Sequence, residues 1–241
     1  MEAEFVHGVR ISEDNINIVK QAVNEGYTVT CHGPYYINLN AKEPEKVEAS
    51  IRRIIETAQT ANDFGGYSIT YHAAFYMGGE KETVYQQVKK QTAKIIEALQ
   101  KEKIDVWIRP ETTGKATQWG DYEEIIRLSK EFEQVLPCVD FSHVHARTGG
   151  EYNTYDEFCL ILDRISKELG QKAIDNFHAH LAGIDYTPKG EKRHLILEES
   201  DMNYKDLLKA LKSFGVKGAL VCESPNIETD TKILRDYYYS L

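Results

Sequence analysis

Tyr67-Ser68-Ile69-Thr70-Tyr71-His72 is a run of β-branched and aromatic residues that ends on an imidazole. The pattern recurs: Tyr27-Thr28-Val29-Thr30 leads into Cys31-His32, and Ala173-Ile174-Asp175-Asn176-Phe177 leads into His178. Carboxylates take the same place elsewhere. Glu111 follows Val106-Trp107-Ile108-Arg109-Pro110, Asp140 follows Leu136-Pro137-Cys138-Val139, and Glu223 follows Ala219-Leu220-Val221-Cys222. Short runs of this composition read as strands. All eight histidines fall at the end of such a run or in the loop after it, with none expected inside a helix. Neutral imidazole nitrogen and carboxylate oxygen are the donors that borderline divalent metals prefer, so the chain reads first as a metalloenzyme.

Working outward, strands are expected near residues 3–7, 27–32, 67–72, 104–110, 136–140, 173–178 and 218–223. Amphipathic helical patterns follow near 12–24, 44–64, 80–102, 120–133, 154–169, 203–214 and 227–239. Ser12 is placed to cap the first helix, and Pro44 suits a first helical position because its missing N–H would be unpaired there anyway. Strict alternation implies parallel strands joined by crossovers, hence an α/β barrel or a doubly wound sheet. A doubly wound sheet gathers its site at one switch point, whereas a barrel brings every strand end to one rim. Ligand-type residues after six different strands favour the barrel. Seven βα units are visible, in one domain spanning residues 1–241. No GxGxxG or GxxxxGK[ST] loop is present, which removes the main nucleotide-binding readings. Gly149-Gly150 and the stretch from Ala182 to Glu199 read as the longest loops.

Composition sets further bounds. A chain of 241 residues with 41% hydrophobic residues can bury a substantial core. No stretch approaches the ~20 apolar residues of a membrane span, and the N-terminus lacks the pattern of a signal peptide, so a cytoplasmic location is expected. Cys31, Cys138, Cys159 and Cys222 show no CxxC spacing and read as reduced core residues. The formal charge of −9 argues against a surface that wraps nucleic acid throughout. It is compatible with a local site where bound cations offset an acidic pocket.

His32-Gly33-Pro34-Tyr35-Tyr36-Ile37-Asn38-Leu39, His72 ending its strand, Glu111-Thr112-Thr113-Gly114, Cys138-Val139-Asp140-Phe141-Ser142-His143, His178-Ala179-His180-Leu181, His194 and Glu223-Ser224-Pro225 occur in one order along the chain. In that order and spacing the sequence resembles the endonuclease IV family over nearly its whole length. The resemblance implies a TIM barrel holding zinc ions that hydrolyses DNA on the 5′ side of abasic sites in base-excision repair. It further implies that His32 and His72 bind one ion and that Glu111 bridges it to a second held by Asp140, His178 and Glu223. His143 and His194 belong to a third. His178 is favoured over His180 by motif position. Tyr35 and Arg10 match positions that contact DNA, and Tyr36, Phe75, Tyr76 and Trp119 are candidate stacking aromatics. The implied partner is double-stranded DNA with abasic sites, and no membrane.

Two departures shape the expectation. The family's first strand and helix have no counterpart before Phe5, so the barrel is expected to be N-terminally incomplete and to self-associate through the gap. The family's Asp-x-His pair is here Lys192-Arg193-His194. Two firmly held Zn2+ ions are therefore expected, the third being weak or absent, with Mn2+ the alternative metal and Lys192 facing the third site or a DNA phosphate. His7 and His145 read as ordinary buried histidines paired with backbone groups. The competing function is a metal-dependent sugar isomerase or epimerase of the xylose-isomerase-like barrels, which has no use for the extra His143 and His194.

Overall fold

The computed structural model describes residues 1–241, which form two compact units. The first comprises Met1–Glu111, Thr117–Gly120 and Arg127–Leu136; the second comprises Thr112–Ala116, Asp121–Ile126 and Pro137–Leu241.

In the first unit the chain runs β1 (Glu2–Glu4), α1 (Glu13–Asn24), β2 (Thr30–His32), α2 (Pro44–Asp63), β3 (Ser68–Tyr71), β4 (Ala74–Phe75), α3 (Lys81–Glu102), β5 (Trp107–Pro110) and β6 (Gln118–Trp119). A helix, α4 (Tyr122–Ser129), follows, its residues divided between the two units. β1, β2, β3 and β5 form a parallel sheet in that order. Parallel neighbours need a long crossover between them, and α1, α2 and α3 supply it. Ser12 caps α1 by accepting from the Asn15 N–H, and Pro44 stands in the first turn of α2. The core is drawn from helical spacings such as Ile54, Ala58 and Ala61 on α2 and Val88, Ile95 and Leu99 on α3, together with Ile69 and Ile108 of the sheet. The register aligns His32 with Thr70 and Thr70 with Arg109, so the C-terminal ends of these strands lie level.

The second unit contains β7 (Cys138–Asp140), α5 (Phe141–Arg147), α6 (Tyr155–Leu169), α7 (Gln171–Asp175), β8 (Phe177–Leu181), β9 (Gly183–Thr187), β10 (Gly190–Leu195), a 3-10 turn at Leu197–Glu199, α8 (Tyr204–Ser213), β11 (Gly218–Cys222) and α9 (Glu228–Ser240). Its parallel sheet has the order β11-β8-β7, and β9 and β10 form an antiparallel hairpin. α6 opens with a reciprocal cap between Thr154 and Glu157.

Several sequence expectations are corrected. The run expected as a strand over 173–178 is a short helix to Asp175, and the strand begins at Phe177. Ala173 and Ile174 are both buried, so a solidly apolar pair there imitates a strand. His143 and His145 lie on a helix, α5, contrary to the expectation that no histidine would. That helix starts because the Asp140 side chain caps it, accepting from the His143 N–H at 2.8 Å. The stretch 182–199 is not a loop: it forms the β9/β10 hairpin and the 3-10 turn.

Asp230 anchors the hairpin's exit to α9. Buried almost completely, it accepts from the Leu197 N–H at 2.8 Å and from Asn226 Nδ2 at 2.9 Å. Burial alone raises a carboxyl pKa, but the bonds from Leu197 and Asn226 outweigh it and hold this one below its usual value. The stability it contributes is thus fully present above the unfolded pKa of about 3.9 and is lost as pH falls through the lower folded value. Asp230→Asn is expected to lower unfolding stability at pH 7 by roughly 1–3 kcal/mol, the scale of a buried hydrogen bond to a charged group. Denaturant titrations of both proteins at pH 7 and pH 3 should show the gap shrinking in acid; a gap independent of pH would contradict this role.

Candidate metal centre

In the first unit, β2 ends on His32, His72 follows β3 and Glu111 follows β5. The Gly33 N–H donates to the Thr70 carbonyl and the Glu111 N–H to the Tyr71 carbonyl, carrying the sheet's pairing one residue past each strand. The three side chains consequently meet. Glu111 is 1% exposed, with Oε2 3.1 Å from His32 Nε2 and Oε1 3.2 Å from His72 Nε2. The Thr70 hydroxyl donates to the same carboxylate at 3.4 Å. His32 Nδ1 lies 2.7 Å from the Gly33 carbonyl, which only an N–H can approach favourably, so Nε2 of the neutral ring turns its lone pair toward the carboxylate. A lone pair facing a buried carboxylate needs a proton or a cation between them. The donor set of two imidazoles and one carboxylate suits a divalent ion. Sequence reasoning passes over Arg109, which is buried with its guanidinium 5.4 Å from the Tyr67 ring and 5.8 Å from that of Trp107.

Around this cluster the candidate DNA-contacting residues fall into two groups. Tyr35 is exposed, donates its hydroxyl to Glu4 and lies 6.1 Å from the His32 ring, while Arg10 is exposed in the loop between β1 and α1. Tyr36 and Phe75 are also exposed. Tyr76 and Trp119 are buried and present no face to a base, which corrects the stacking role considered for them. His7 is exposed and stacks on Tyr36 instead of being buried.

In the second unit, strand register decides which histidine joins which carboxylate. β7 and β8 pair Cys138 with His178 and Asp140 with His180. Donor atoms of Asp140, His180 and Glu223 lie within 4.8 Å of one another, and His180 Nδ1 is 3.2 Å from Glu223 Oε1. His178 sits one alternation lower, clustered with Cys138 and His180, and it is His180 that stands with Asp140 and Glu223. Both histidines point to one face because they are two apart in a strand that continues to Leu181.

A second group shares Asp140. Donor atoms of Asp140, His143 and His194 are mutually within 4.8 Å. His143 Nδ1 lies 3.0 Å from the Thr112 carbonyl and His194 Nδ1 lies 3.2 Å from the Glu223 carbonyl. With both Nδ1 positions committed as donors, the two Nε2 atoms face each other at 3.4 Å. Glu191 Oε2 is 3.7 Å from His143 Nε2. Lys192 does not face this group: its ammonium pairs with Asp185 at 2.8 Å. His145 has a structural role, bonded to the Glu151 carbonyl and to Asp201. Burial pushes the Asp201 carboxyl up, but bonds from Tyr186 and His145 outweigh that and leave it below the ordinary range.

A family model described as xylose isomerase-like TIM barrel matches residues 1–240. The chain belongs to that family. An uncharacterized protein of Methanocaldococcus jannaschii is 45% identical over 241 residues, covering all of this chain and 87% of the relative. A D-tagatose 3-epimerase-like protein shares the fold with a TM-score of 0.75 at 16% identity, over 99% of this chain and 88% of that one. Endonuclease IV from Thermus thermophilus shares it with a TM-score of 0.73 at 16% identity, over 97% and 84%. The barrel fold is therefore common to nuclease and epimerase.

Buried imidazoles and carboxylates that need a cation tie stability to metal. Dialysis against a chelator is expected to lower the thermal midpoint, and Zn2+ at about 100 times its Kd to restore about 2.7 kcal/mol. His180→Asn should lose a metal equivalent that His178→Asn keeps. Melting curves indifferent to chelator, or the reverse pattern in the two variants, would count against these ligands.

Proposed function

We propose that this protein is a zinc-dependent phosphodiesterase that cleaves DNA on the 5′ side of abasic sites. The observation that carries the reading is the number of donor groups. His32, His72 and Glu111 form one set in the first unit, and the second unit adds Asp140 with His180 and Glu223 and a further pair, His143 and His194. A sugar epimerase deprotonating one carbon has no use for that last pair, whereas phosphodiester hydrolysis must neutralise a charged phosphate, an attacking oxygen and a leaving oxygen together. Divalent ions, when bound, supply Lewis-acid stabilisation and a hydroxide nucleophile at neutral pH.

The chain's own residues provide the rest. Glu111 is held by the Thr70 hydroxyl between two imidazoles, which fixes its carboxylate as a ligand instead of leaving it a mobile base. Backbone carbonyls of Gly33, Thr112 and Glu223 fix the ring orientations of His32, His143 and His194. Tyr35 and Arg10, both exposed, offer a hydroxyl and a guanidinium to DNA. The second reading, a metal-dependent ketose epimerase, draws on the likeness to the D-tagatose 3-epimerase-like fold.

An oligonucleotide duplex carrying one tetrahydrofuran abasic analogue separates the two. The protein with Zn2+ is expected to nick it on the 5′ side, chelator to abolish the nick, and Glu111→Gln to reduce the rate by about 10²-fold or more while leaving the circular dichroism unchanged. Absence of nicking together with metal-dependent C3 epimerisation of a ketose would replace this proposal with the epimerase.

A further inference from the structure

The family pattern that this sequence resembles has an aspartate two residues before His194, where this chain has Lys192. We infer that Glu191 supplies the missing carboxylate, carried into place by a β-bulge at Lys192, and completes a divalent-metal site with His143 and His194. The inference rests on the reading of those two histidines as metal ligands. It reverses the expectation that the third ion is weak or absent.

The register of the hairpin shows how. β10 pairs Gly190 with Thr187 and Glu191 with Tyr186, and then Arg193, not Lys192, with Asp185. One extra residue is therefore inserted between Glu191 and Arg193. In a regular strand, residues three apart point to opposite faces, and Glu191 and His194 would be separated by the sheet. The inserted residue turns the strand over once, so both reach the same side. Glu191 Oε2 lies 3.7 Å and His194 Nε2 3.4 Å from His143 Nε2. Lys192 and Arg193 are turned to the other side, where Asp185 takes both cations, at 2.8 and 3.4 Å.

A pair of glycines makes the position of Glu191 a built feature. The Glu191 N–H donates to the Gly114 carbonyl at 2.8 Å. A Cβ on Gly114 would stand 2.5 Å from Glu191 Cβ and 2.8 Å from its Oε2, and a Cβ on Gly190, whose φ is +95°, would stand 2.2 Å from the Gly114 carbonyl. Only glycine permits that approach. The same segment holds Thr112, whose carbonyl orients His143. One loop thus sets both the imidazole and the carboxylate. Tetrahedral zinc with bonds of about 2.0–2.1 Å keeps its donor atoms roughly 3.3–3.5 Å apart. The two spacings to His143 Nε2, 3.4 and 3.7 Å, lie close to that range. The two imidazoles and the Glu191 carboxylate make three protein donors, the number usual at catalytic zinc, and Asp140 stands within 4.8 Å of both imidazoles.

The test is a Co2+ titration of metal-free protein, read by visible absorption and by bound metal per chain. Glu191→Gln is expected to lose one equivalent relative to the unaltered protein, His194→Gln to lose the same one, and the double variant to lose no more than His194→Gln alone. Lys192→Ala should bind like the unaltered chain. Glu191→Asp, which keeps the charge, should bind that equivalent more weakly by roughly 10-fold or more, and it carries the test if the glutamine variant does not fold. Retention of the equivalent by Glu191→Gln, with its loss in His194→Gln, would overturn the role of Glu191 while leaving the histidine pair intact. Full retention by both would remove the histidine site and this inference together.

Discussion

The structure depends on a single constraint: a carboxylate cannot be buried without hydrogen-bond donors or positive charge to compensate it. Glu111 and Asp140 are almost fully buried, and each lies against imidazole nitrogen. Taking such groups out of water costs several kcal/mol per ion unless they are paired. A divalent ion would meet that need at several donors simultaneously. The arrangement of strands, loops and glycines around these residues then reads as a scaffold that holds ligand atoms a few ångströms apart before any ion arrives.

Parallel register is the means by which the scaffold achieves this. Within the first sheet, His32, Thr70 and Arg109 stand level, so the residues just beyond them meet. Within the second, Asp140 stands level with His180 and Cys138 with His178. A shift of two residues would exchange a carboxylate–imidazole pair for a thiol–imidazole pair on the same face. Backbone carbonyls then fix the rings of His32, His143 and His194, which is the orienting interaction that metal-bound histidines generally require.

Because nucleases and epimerases share this barrel, the fold leaves the reaction open and the donor count becomes the discriminating quantity. A hairpin that the sequence presents as a loop contributes to that count. β9 and β10 bring His194 and Glu191 to His143, and Asp230 secures the chain where it leaves the hairpin.

The sequence by itself determined the alternation of strands and helices, the parallel pairing it requires, and the residue types at the strand ends, because hydrophobic period and strand-terminal chemistry are local properties. His32, His72, Glu111, Asp140 and Glu223 are legible in this way, whereas His143 and His194 enter only through the family resemblance. Tertiary structure decided everything that hangs on register. Periodicity cannot tell the buried pair Ala173-Ile174 of a short helix from a strand, so it starts the strand four residues early, and motif position does not reveal that the strand runs on to Leu181 and sets His180, not His178, level with Asp140. The same limit hides α5, which exists because Asp140 caps it. It also hides the bulge at Lys192: one inserted residue leaves composition and spacing unaltered, yet it reverses which side chains share a face, and only the pairing of β10 with β9 reveals it.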